Sequence, residues 1–284
     1  MKLYKYQNRA LLNQDGEWYL SPVLNSWHEL INRNDLSAFL SEEKLKWELV
    51  TADTLTCQKV IEAPEEPYQE VWAAGVTYQR SKEARMEESQ KTGGAIFYDM
   101  VYEAERPELF FKAMGYKVRG HGAPIHIRPD SEWDVPEPEL TLFMTSDQKI
   151  VGYTIGNDVS SRSIEGENPL YLPQAKVYDG SAAMGPCLWV PETPISPDSQ
   201  IRITITRGEN VLYEDHVEIR LMKRLHEELM DYLFRSQSFE RGVFLMTGTC
   251  LVPDHTFTLQ HEDVVSISID HIGTLTNQVK NNTK

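Results

Sequence analysis

Short runs of apolar and β-branched residues, separated by turn signals, occupy much of the chain from Glu139 onward. ELTLFMTS and KIVGYTIG flank Asp147 and Gln148, and IRITITR and VLYEDHV flank residues 208–210. A further run, VVSISI, follows near the C-terminal end. Two strand-like runs joined by a short turn predict an antiparallel hairpin. Because predicted strands outnumber predicted helices, the pattern favours an antiparallel or mixed sheet in a β-rich α+β fold.

The N-terminal part of the chain combines strand and helix signals. Residues 3–20 read as a half-buried hairpin, LYKYQ and EWYL, with its turn at Asp15 and Gly16. A helical stretch is predicted for residues 27–50, with Ser41 as an N-cap followed by two glutamates in the first turn. Together these signals predict a small N-terminal α/β domain.

A proline-containing acidic segment, IEAPEEPY, is the best candidate for a linker. We therefore predict a small N-terminal domain over 1–66 and a larger domain over 67–284. Within the larger domain, LMKRLHEELMDYLFRSQS predicts one amphipathic helix with leucines at helical spacing. The leucines on this predicted face are Leu221, Leu225, Leu229 and Leu233.

The overall charge limits the classes of partner. The chain has 28 basic and 43 acidic residues, a formal charge of −15, which disfavours nucleic-acid binding. Its 40% hydrophobic content is that of a globular protein, and no apolar run approaches the length of a membrane span. Three cysteines without paired spacing and the lack of a secretory signal pattern predict a soluble cytoplasmic protein that binds neither nucleic acid nor membrane.

The segment YQRSKEARMEESQK, residues 78–91, is strongly charged and has helix-forming composition but little apolar face. A helix of this kind is usually a solvated surface element. The functional alternative is a mobile lid over a binding site.

A pair of glutamates at the start of a strand carries the strongest chemical signal. Glu137 and Glu139 are two residues apart in PEPELTLFM, so both carboxylates point to one side of the strand. The next predicted strand ends at Asp158, which a hairpin brings back beside the pair. Three carboxylates without nearby histidine or thiolate favour a hard cation, Mg²⁺ or else Mn²⁺. The alternative is an exposed acidic rim.

The order of the following motifs identifies a family resemblance. Arg162 in NDVSSRS, Lys176 in QAKVYDG and an MGP turn follow Asp158, and FLMTGTC and EDVVSISIDHIGTLTNQV follow later. This series, with the paired E-x-E, resembles the fumarylacetoacetate hydrolase superfamily over roughly residues 70–279.

The resemblance implies a β-roll catalytic domain, a homodimer and Mg²⁺ held by Glu137, Glu139 and Asp158. Lys176 matches the active-site lysine of the family. Thr249 matches a threonine that meets the carboxylate end of the substrate.

The chain departs from the hydrolases of this family at their water-activating pair. Those members carry G-x-N-Y-x-x-H-x-x-E, and GVTYQRSKEA keeps Gly75 and Tyr78 in that register. Thr77 replaces the asparagine, while Ser81 and Ala84 stand where the histidine and glutamate are expected. We therefore predict that the hydrolytic dyad is missing; Glu83 and Glu87 nearby are possible but weakly basic substitutes, and His121 is a reserve candidate for the histidine.

Other segments resemble one subgroup more closely. GVTY with SKEARMEES, ERPELFFKA and LPQAKVYD are similar to sugar-acid dehydratases that act on 2-keto-3-deoxy-pentonates. Glu165 in SIEGE occupies a place where hydrolase and decarboxylase relatives commonly have an amide. We interpret it as part of the changed chemistry; the alternative is a surface acid in a glycine-containing loop.

This resemblance predicts Mg²⁺-dependent dehydration of a 2-keto acid to a 2,5-dioxo acid. A 2-keto acid that chelates the metal has more acidic C3 protons. Lys176 is the predicted base at C3, and Glu165 is the first candidate for the acid that protonates the leaving C4 hydroxyl. Glu83, on the charged segment, is the second. The residues predicted to contact substrate are Ser81, Arg85, Lys112, Arg119, Asp179 and Thr249.

Two other functional classes remain open at this point. An acylpyruvate or 2,4-diketo acid C–C bond hydrolase or decarboxylase uses the same metal and enolate stabilisation. A non-catalytic sugar-acid or metal-binding module is the second, because a fold does not fix function. A binder has no need of a base, so the presence of Lys176 beside three metal carboxylates favours an enzyme.

Overall fold

A large mixed sheet forms the centre of the molecule. The computed structural model describes residues 1–51, 63–80 and 95–283. Within them, ten strands pair in the order β4-β3-β2-β1-β12-β10-β9-β15-β5-β6, and β15 and β5 are parallel. These strands are β1 Lys2–Tyr6, β2 Arg9–Gln14, β3 Glu17–Leu20, β4 Glu48–Val50, β5 Glu70–Gly75, β6 Glu108–Met114, β9 Pro138–Met144, β10 Ile150–Asp158, β12 Ala182–Trp189 and β15 Val243–Met246.

Seven further described strands form two smaller sheets. A five-stranded sheet has the order β14-β13-β16-β17-β7, and β8 pairs with β11 in a short ribbon. Their bounds are β7 Ile125–Ile127, β8 Asp134–Val135, β11 Ser160–Ser161, β13 Gln200–Arg207, β14 Asn210–Glu218, β16 Val264–Ile269 and β17 Gly273–Asn281.

Helices are short in the described part of the chain. The α-helices are α1 Trp27–Ile31, α2 Leu36–Glu43, α3 Ala95–Glu103, α4 Arg162–Glu167, α5 Leu172–Lys176 and α6 His226–Phe234. Four 3₁₀ turns cover Lys44–Lys46, Gly115–Lys117, Pro169–Tyr171 and Ile219–Leu221.

Both faces of the central sheet are covered, which explains why β9 is buried along its whole length. Leu140 and Leu142 of β9 pack in one core with Ile203 and Ile267 of the five-stranded sheet. Phe143, on the alternate face, belongs to a second core that includes the apolar residues of α1 and α2. Strands β9 and β10 therefore run between two buried apolar cores.

The β-rich α+β prediction is confirmed, as are the two hairpins predicted from the strand runs. β9 and β10 pair around the turn at Asp147 and Gln148, and β13 and β14 pair around the turn after Arg207. Asp15 and Gly16 do form a hairpin turn, but it joins β2 to β3. LYKYQ is a separate strand, β1, on the other side of β2, so the N-terminal segment contains three strands.

The helical stretch predicted for residues 27–50 is helical only in part, and the predicted N-cap at Ser41 is wrong. The segment contains α1, α2, a 3₁₀ turn and β4, and Ser41 lies inside α2, where its hydroxyl donates to the Ser37 carbonyl at 3.0 Å. The two α-helices are separated by a segment that contains Asn32 and Asn34. Both side chains form hydrogen bonds to the β9–β10 turn, and Asn34 Nδ2 lies 2.9 Å from Asp147 Oδ2.

The predicted late helix is present but shorter than the segment over which the leucine spacing predicted it. α6 begins at His226, with Leu229 and Leu233 buried, whereas Leu221 and Leu225 lie before the helix and are exposed. Arg224 explains the late start, because its guanidinium binds Glu228 and backbone carbonyls at the end of α3 and just beyond it.

The N-terminal strands extend the same sheet as the remainder of the chain. β1 pairs antiparallel with β12 through Lys2–Trp189 and Leu3–Leu188. The division at residue 66 stays a prediction about chain organisation. No helix in the described ranges is long and apolar enough to cross a membrane.

Candidate active site

The β9–β10 hairpin brings three carboxylates together. Glu137 immediately precedes β9, Glu139 lies within it, and Asp158 ends β10, where its N–H donates to the Glu137 carbonyl at 2.9 Å. One carboxylate oxygen from each of the three lies within 4.8 Å of the others, and all three side chains are buried. The i, i+2 spacing and the hairpin register together create this cluster.

Two cations face this group of acids. Lys176 Nζ lies 3.0 Å from Glu137 Oε2 and 2.9 Å from Asp158 Oδ2, and it donates to Ser160 Oγ at 2.6 Å. Arg162 Nη2 donates to Glu137 Oε1 at 2.8 Å. All of these charged side chains are at least 95% buried, so the ion pairs act where solvent screening is weak.

Glu139 is strongly perturbed by its surroundings. Burial, and after it Asp158 and Glu137, raise the pKa of Glu139 well above its usual value, against the opposing effect of Lys176. The Gly248 N–H donates to Glu139 Oε2 at 2.6 Å. Three oxygen donors in one buried cluster fit a hard divalent cation such as Mg²⁺.

Two short helices supply the cations and a fourth acid. The Ser161 hydroxyl accepts the Ile164 N–H at the start of α4, which places Arg162 and Glu165 in its first turn. Lys176 is the last residue of α5, a five-residue helix with Pro173 near its start. Both helices follow β10 closely, so their side chains return to the end of that strand.

A pocket opens onto the carboxylates from the ends of β5 and β6. It is lined by Ala74, Gly75, Val76, Glu108, Phe110, Glu137, Asp158, Arg162, Glu165, Lys176 and Thr249. The structure therefore brings Glu165, Lys176 and Thr249 to one cavity with two of the three predicted metal ligands.

Glu108 is the pocket residue that the sequence analysis missed. It pairs with Gly75 across β5 and β6, and a Cβ atom on Gly75 would lie 2.0 Å from Glu108 Oε2. The glycine thus leaves the space that the carboxylate occupies. Glu108 belongs to ERPELFFKA, a segment that is similar to the dehydratases. This similarity was the signal that could have identified it.

The chain turns sharply where β5 meets the pocket. Val76 has φ +51°, a left-handed conformation that is rare for a β-branched residue. Thr77 Oγ1 donates to the Thr247 carbonyl at 2.8 Å, and Gly248 packs against Thr77. These contacts hold the end of β5 against the turn that carries Thr249.

Lys112 lies behind the carboxylates instead of in the pocket lining. Its side chain is completely enclosed, and Nζ lies 2.5 Å from Asp158 Oδ1. Burial lowers the pKa of Lys112, whereas Asp158 raises it. These contacts do not support the predicted contact between Lys112 and substrate, which stays a prediction.

Arg119 and Asp179 are also outside the pocket lining. The Arg119 backbone bonds to Ala182 and Met184 beside β12, and the Asp179 carboxylate pairs with Lys117 at 3.2 Å. Neither placement supports the predicted substrate contact.

Thr249 and His121 have different environments. Thr249 borders the pocket, and its Oγ1 accepts the Leu251 N–H at 3.1 Å. His121 Nδ1 accepts the Thr276 N–H at 3.1 Å, a structural contact that ties it to β17. The described geometry therefore gives no support to His121 as a replacement for the hydrolase histidine.

The remaining predicted residues fall outside the described residues. Ser81, Glu83, Arg85 and Glu87 belong to 81–94, so their predicted roles and the lid interpretation stay predictions.

A comparison with protein families matches residues 70–280 to the model described as fumarylacetoacetate (FAA) hydrolase C-terminal. Among curated proteins, the chain is 50% identical over 212 residues to a probable 2-keto-3-deoxyxylonate dehydratase of Haloferax volcanii, covering 74% of this chain and 72% of the relative. It is 44% identical over 217 residues to 2-dehydro-3-deoxy-D-arabinonate dehydratase of Saccharolobus solfataricus, covering 76% and 73%.

Solved structures match the whole chain. A 2-keto-3-deoxy-D-arabinonate dehydratase complexed with magnesium and 2,5-dioxopentanoate superposes with a TM-score of 0.84 and 34% identity, covering 100% of both chains. A fumarylacetoacetate hydrolase from Exiguobacterium antarcticum has a TM-score of 0.75, 21% identity and coverage of 99% of this chain and 100% of that one, which shows a shared fold.

Proposed function

Because the chain belongs to the fumarylacetoacetate hydrolase family, we propose that it dehydrates a 2-keto-3-deoxy-pentonate to 2,5-dioxopentanoate with Mg²⁺. The observation that carries this proposal is one pocket in which Lys176 meets two metal carboxylates while Glu165 lines the cavity. Relatives of 50% and 44% identity, named as dehydratases, and the product-bound structural neighbour support the same reaction.

Glu137, Glu139 and Asp158 hold the metal in this proposal. Mg²⁺ bound there supplies Lewis-acid polarisation of the substrate keto oxygen, which makes the C3 protons more acidic. Arg162 contributes by fixing Glu137 Oε1, so that this carboxylate has a defined orientation.

Lys176 acts as the base. Its Nζ lies at the junction of Glu137, Asp158 and the pocket, and it takes the C3 proton. A divalent cation held by Glu137 and Asp158 would compete with Lys176 for these two carboxylates, and a neighbouring positive charge favours the neutral amine that a base requires. Ser160 Oγ, 2.6 Å from Nζ, holds the amine in place.

Glu165 acts as the acid. It lines the pocket and is 4% exposed, so its carboxyl lies beside the substrate and away from bulk water. Its proton passes to the C4 hydroxyl, which leaves as water when the C3–C4 double bond forms. Loss of a C5 proton and return of a proton to C3 then move the double bond to C4–C5, and the resulting enol takes a proton at C4 as its hydroxyl proton leaves, which gives the C5 aldehyde of the 2,5-dioxo acid; the net change is the loss of one water.

Two further lining residues supply substrate contacts in this proposal. Glu108, the first residue of β6, accepts hydrogen bonds from substrate hydroxyls, since an ionised carboxylate is an acceptor only. Thr249 meets the carboxylate. Anion binding in a chain of charge −15 then depends on local cations and the metal.

The test is incubation with racemic 2-keto-3-deoxy-pentonate, with Mg²⁺ or with EDTA, followed by mass spectrometry. We expect loss of one water and a 2,5-dioxo acid only when Mg²⁺ is present. Removing Mg²⁺ should also weaken substrate binding far more than added salt does. Unchanged substrate under both conditions contradicts the proposal.

C–C bond hydrolysis or decarboxylation of an acylpyruvate-like diketo acid is the second candidate, because it uses the same metal carboxylates. Hydrolysis needs an activated water, and the pocket lining within the described residues contains no histidine to activate one. Release of pyruvate from an acylpyruvate at a higher rate than dehydration would favour this second reaction.

Three wider features belong to the same proposal. We place the enzyme in cytoplasmic sugar-acid catabolism, as its substrate class suggests, and we propose a homodimer. Light scattering after size exclusion tests the dimer directly.

A further inference from the structure

We propose that Lys112 is a positioning residue that sets the metal ligand Asp158 and the base Lys176 in fixed relation to each other. The roles of Asp158 and Lys176 rest on the proposed function, whereas the contacts of Lys112 do not. None of the motifs in the sequence distinguishes this lysine from one that binds substrate.

The side chain of Lys112 is enclosed by three other parts of the site. Its Nζ lies 2.5 Å from Asp158 Oδ1 and donates to the Val159 carbonyl at 3.1 Å and to the Lys176 carbonyl at 2.5 Å. The side chain has 0% exposure. One ammonium group on β6 therefore joins the end of β10 to the end of α5.

The contact with Asp158 complements that of Lys176. Lys112 faces Oδ1 of Asp158, and Lys176 faces Oδ2, so the carboxylate is held between two ammonium groups. A ligand with both oxygens oriented by neighbouring groups has little freedom to rotate, which is how residues behind a metal site set the position of a ligand.

The contact with Lys176 acts on its backbone. α5 has only five residues, too few to be stable by its own hydrogen bonds, and Lys176 is its last residue. Lys112 Nζ and Ser181 Oγ, the latter at 2.8 Å, both donate to the Lys176 carbonyl. These bonds fix the point from which the lysine side chain extends toward Glu137 and Asp158.

A change of register explains why β6 can serve both sides of the site. Glu108 and Phe110 alternate along β6 and share one face, whereas the pairing of β6 with β5 shifts between Phe111 and Ala113 and leaves Lys112 as the extra residue of a β-bulge. Glu108 and Phe110 border the pocket, and Lys176 Nζ lies 5.5 Å from the Phe110 ring centre. Lys112, two residues further, reaches beneath the carboxylates, outside the pocket lining.

The test compares Lys112→Met with wild type and with two controls. Lys149→Met makes the same change at an exposed lysine, and Ile203→Ala removes buried apolar volume where the five-stranded sheet packs against β9, so it controls for a general loss of stability. Mg²⁺ affinity is measured from the rise of Tm with Mg²⁺ concentration, a readout that needs no substrate. Dehydration kinetics are measured separately.

We expect Lys112→Met to weaken Mg²⁺ binding about 10–100-fold and to lower kcat by a similar factor, the usual effect of removing a group that orients a metal ligand. KM should change less than kcat. Lys149→Met and Ile203→Ala should keep wild-type Mg²⁺ affinity. If the dehydration assay fails for every variant but the Mg²⁺ affinities follow this pattern, the proposed reaction is rejected and the positioning role stands.

Mg²⁺ affinity within about twofold of wild type in folded Lys112→Met would overturn the inference, as would an equal loss in Ile203→Ala. Lys112→Gln, which keeps a hydrogen-bond donor, is measured in the same way if the methionine variant does not fold. It should show the same direction of change with a smaller loss, and wild-type affinity in Lys112→Gln would again overturn the proposal.

Discussion

Two walls of the pocket are built on different principles. The charged cluster, defined as Glu137, Asp158, Arg162 and Lys176, alternates opposite charges at 2.8–3.0 Å. The acid wall, defined as Glu108 and Glu165, presents carboxyl groups from the start of a strand and from the first turn of a short helix.

The difference between the walls indicates a division of work. Mutual ion pairs hold the charged cluster in one geometry, as a metal site and a base require. The acid wall borders the cavity, as proton donation and hydroxyl binding require. The substitutions at Lys176, Glu165, Glu108 and Gly75 each change one wall and leave the other intact, and Glu139→Gln changes a carboxylate behind the charged cluster.

Lys176→Met should have the largest effect. Removing the base is expected to lower kcat about 10³-fold, within the usual range for general base catalysis, while the acid wall still binds substrate. Steady-state kinetics with saturating Mg²⁺ give the result, and Lys149→Met is the matched control. Full turnover in a Mg²⁺-binding Lys176→Met variant would exclude the lysine as base.

Glu165→Gln changes the acid wall at its buried end. We expect kcat to fall about 10²-fold with KM and Mg²⁺ affinity near wild type, because only proton donation is lost. Glu108→Gln provides the comparison and should raise KM more than it lowers kcat. If Glu108→Gln instead lowers kcat and Glu165→Gln instead raises KM, then Glu108 is the acid and Glu165 the hydroxyl-binding group.

Gly75→Ala changes the acid wall without removing an acid. The added methyl group would overlap Glu108 Oε2, which lies at the end of a flexible side chain and moves aside. We expect an increase in KM of about 10-fold with little change in Tm, because only the hydroxyl contact is displaced. In a Glu108→Ala background the same substitution should have no further effect; an equal effect in both backgrounds would show that Gly75 acts independently of Glu108.

Glu139→Gln should have the smallest effect, on the stability of the metal-free protein. Burial and the neighbouring carboxylates raise the pKa of Glu139, so its neutral form favours folding below the usual glutamate pKa, and this contribution is lost as pH rises through the folded-state pKa. The variant should therefore have a slightly higher Tm than wild type at neutral pH without Mg²⁺, and a weaker dependence of Tm on pH.

Circular dichroism melts in EDTA measure this effect. Mg²⁺ should reverse the order, because wild type gains stability from binding and the glutamine variant gains much less. A lower metal-free Tm for Glu139→Gln at neutral pH would show that the carboxylate is not repelled by its neighbours.

Local sequence patterns predicted the candidate site more completely than they predicted the N-terminal fold. The E-x-E spacing and the hairpin after it were sufficient to predict that Glu137, Glu139 and Asp158 converge, because both depend on short-range strand geometry. The helical stretch predicted for 27–50 is interrupted because the break depends on long-range contacts. Its two asparagines bond to a turn more than a hundred residues away, which no local pattern encodes.

The sequence by itself determined the chemistry available to this protein: three oxygen ligands, a lysine and an acid, in an order that identifies the family. The tertiary structure decided which side of the site each group serves. Lys112 and Glu108 both lie on β6 and both carry charge, yet one is enclosed behind Asp158 and the other faces the cavity. Whether each side chain is enclosed or faces the cavity depends on how β6 packs against β5, β10 and α5. Local sequence does not determine this, because contacts between distant segments exist only after folding.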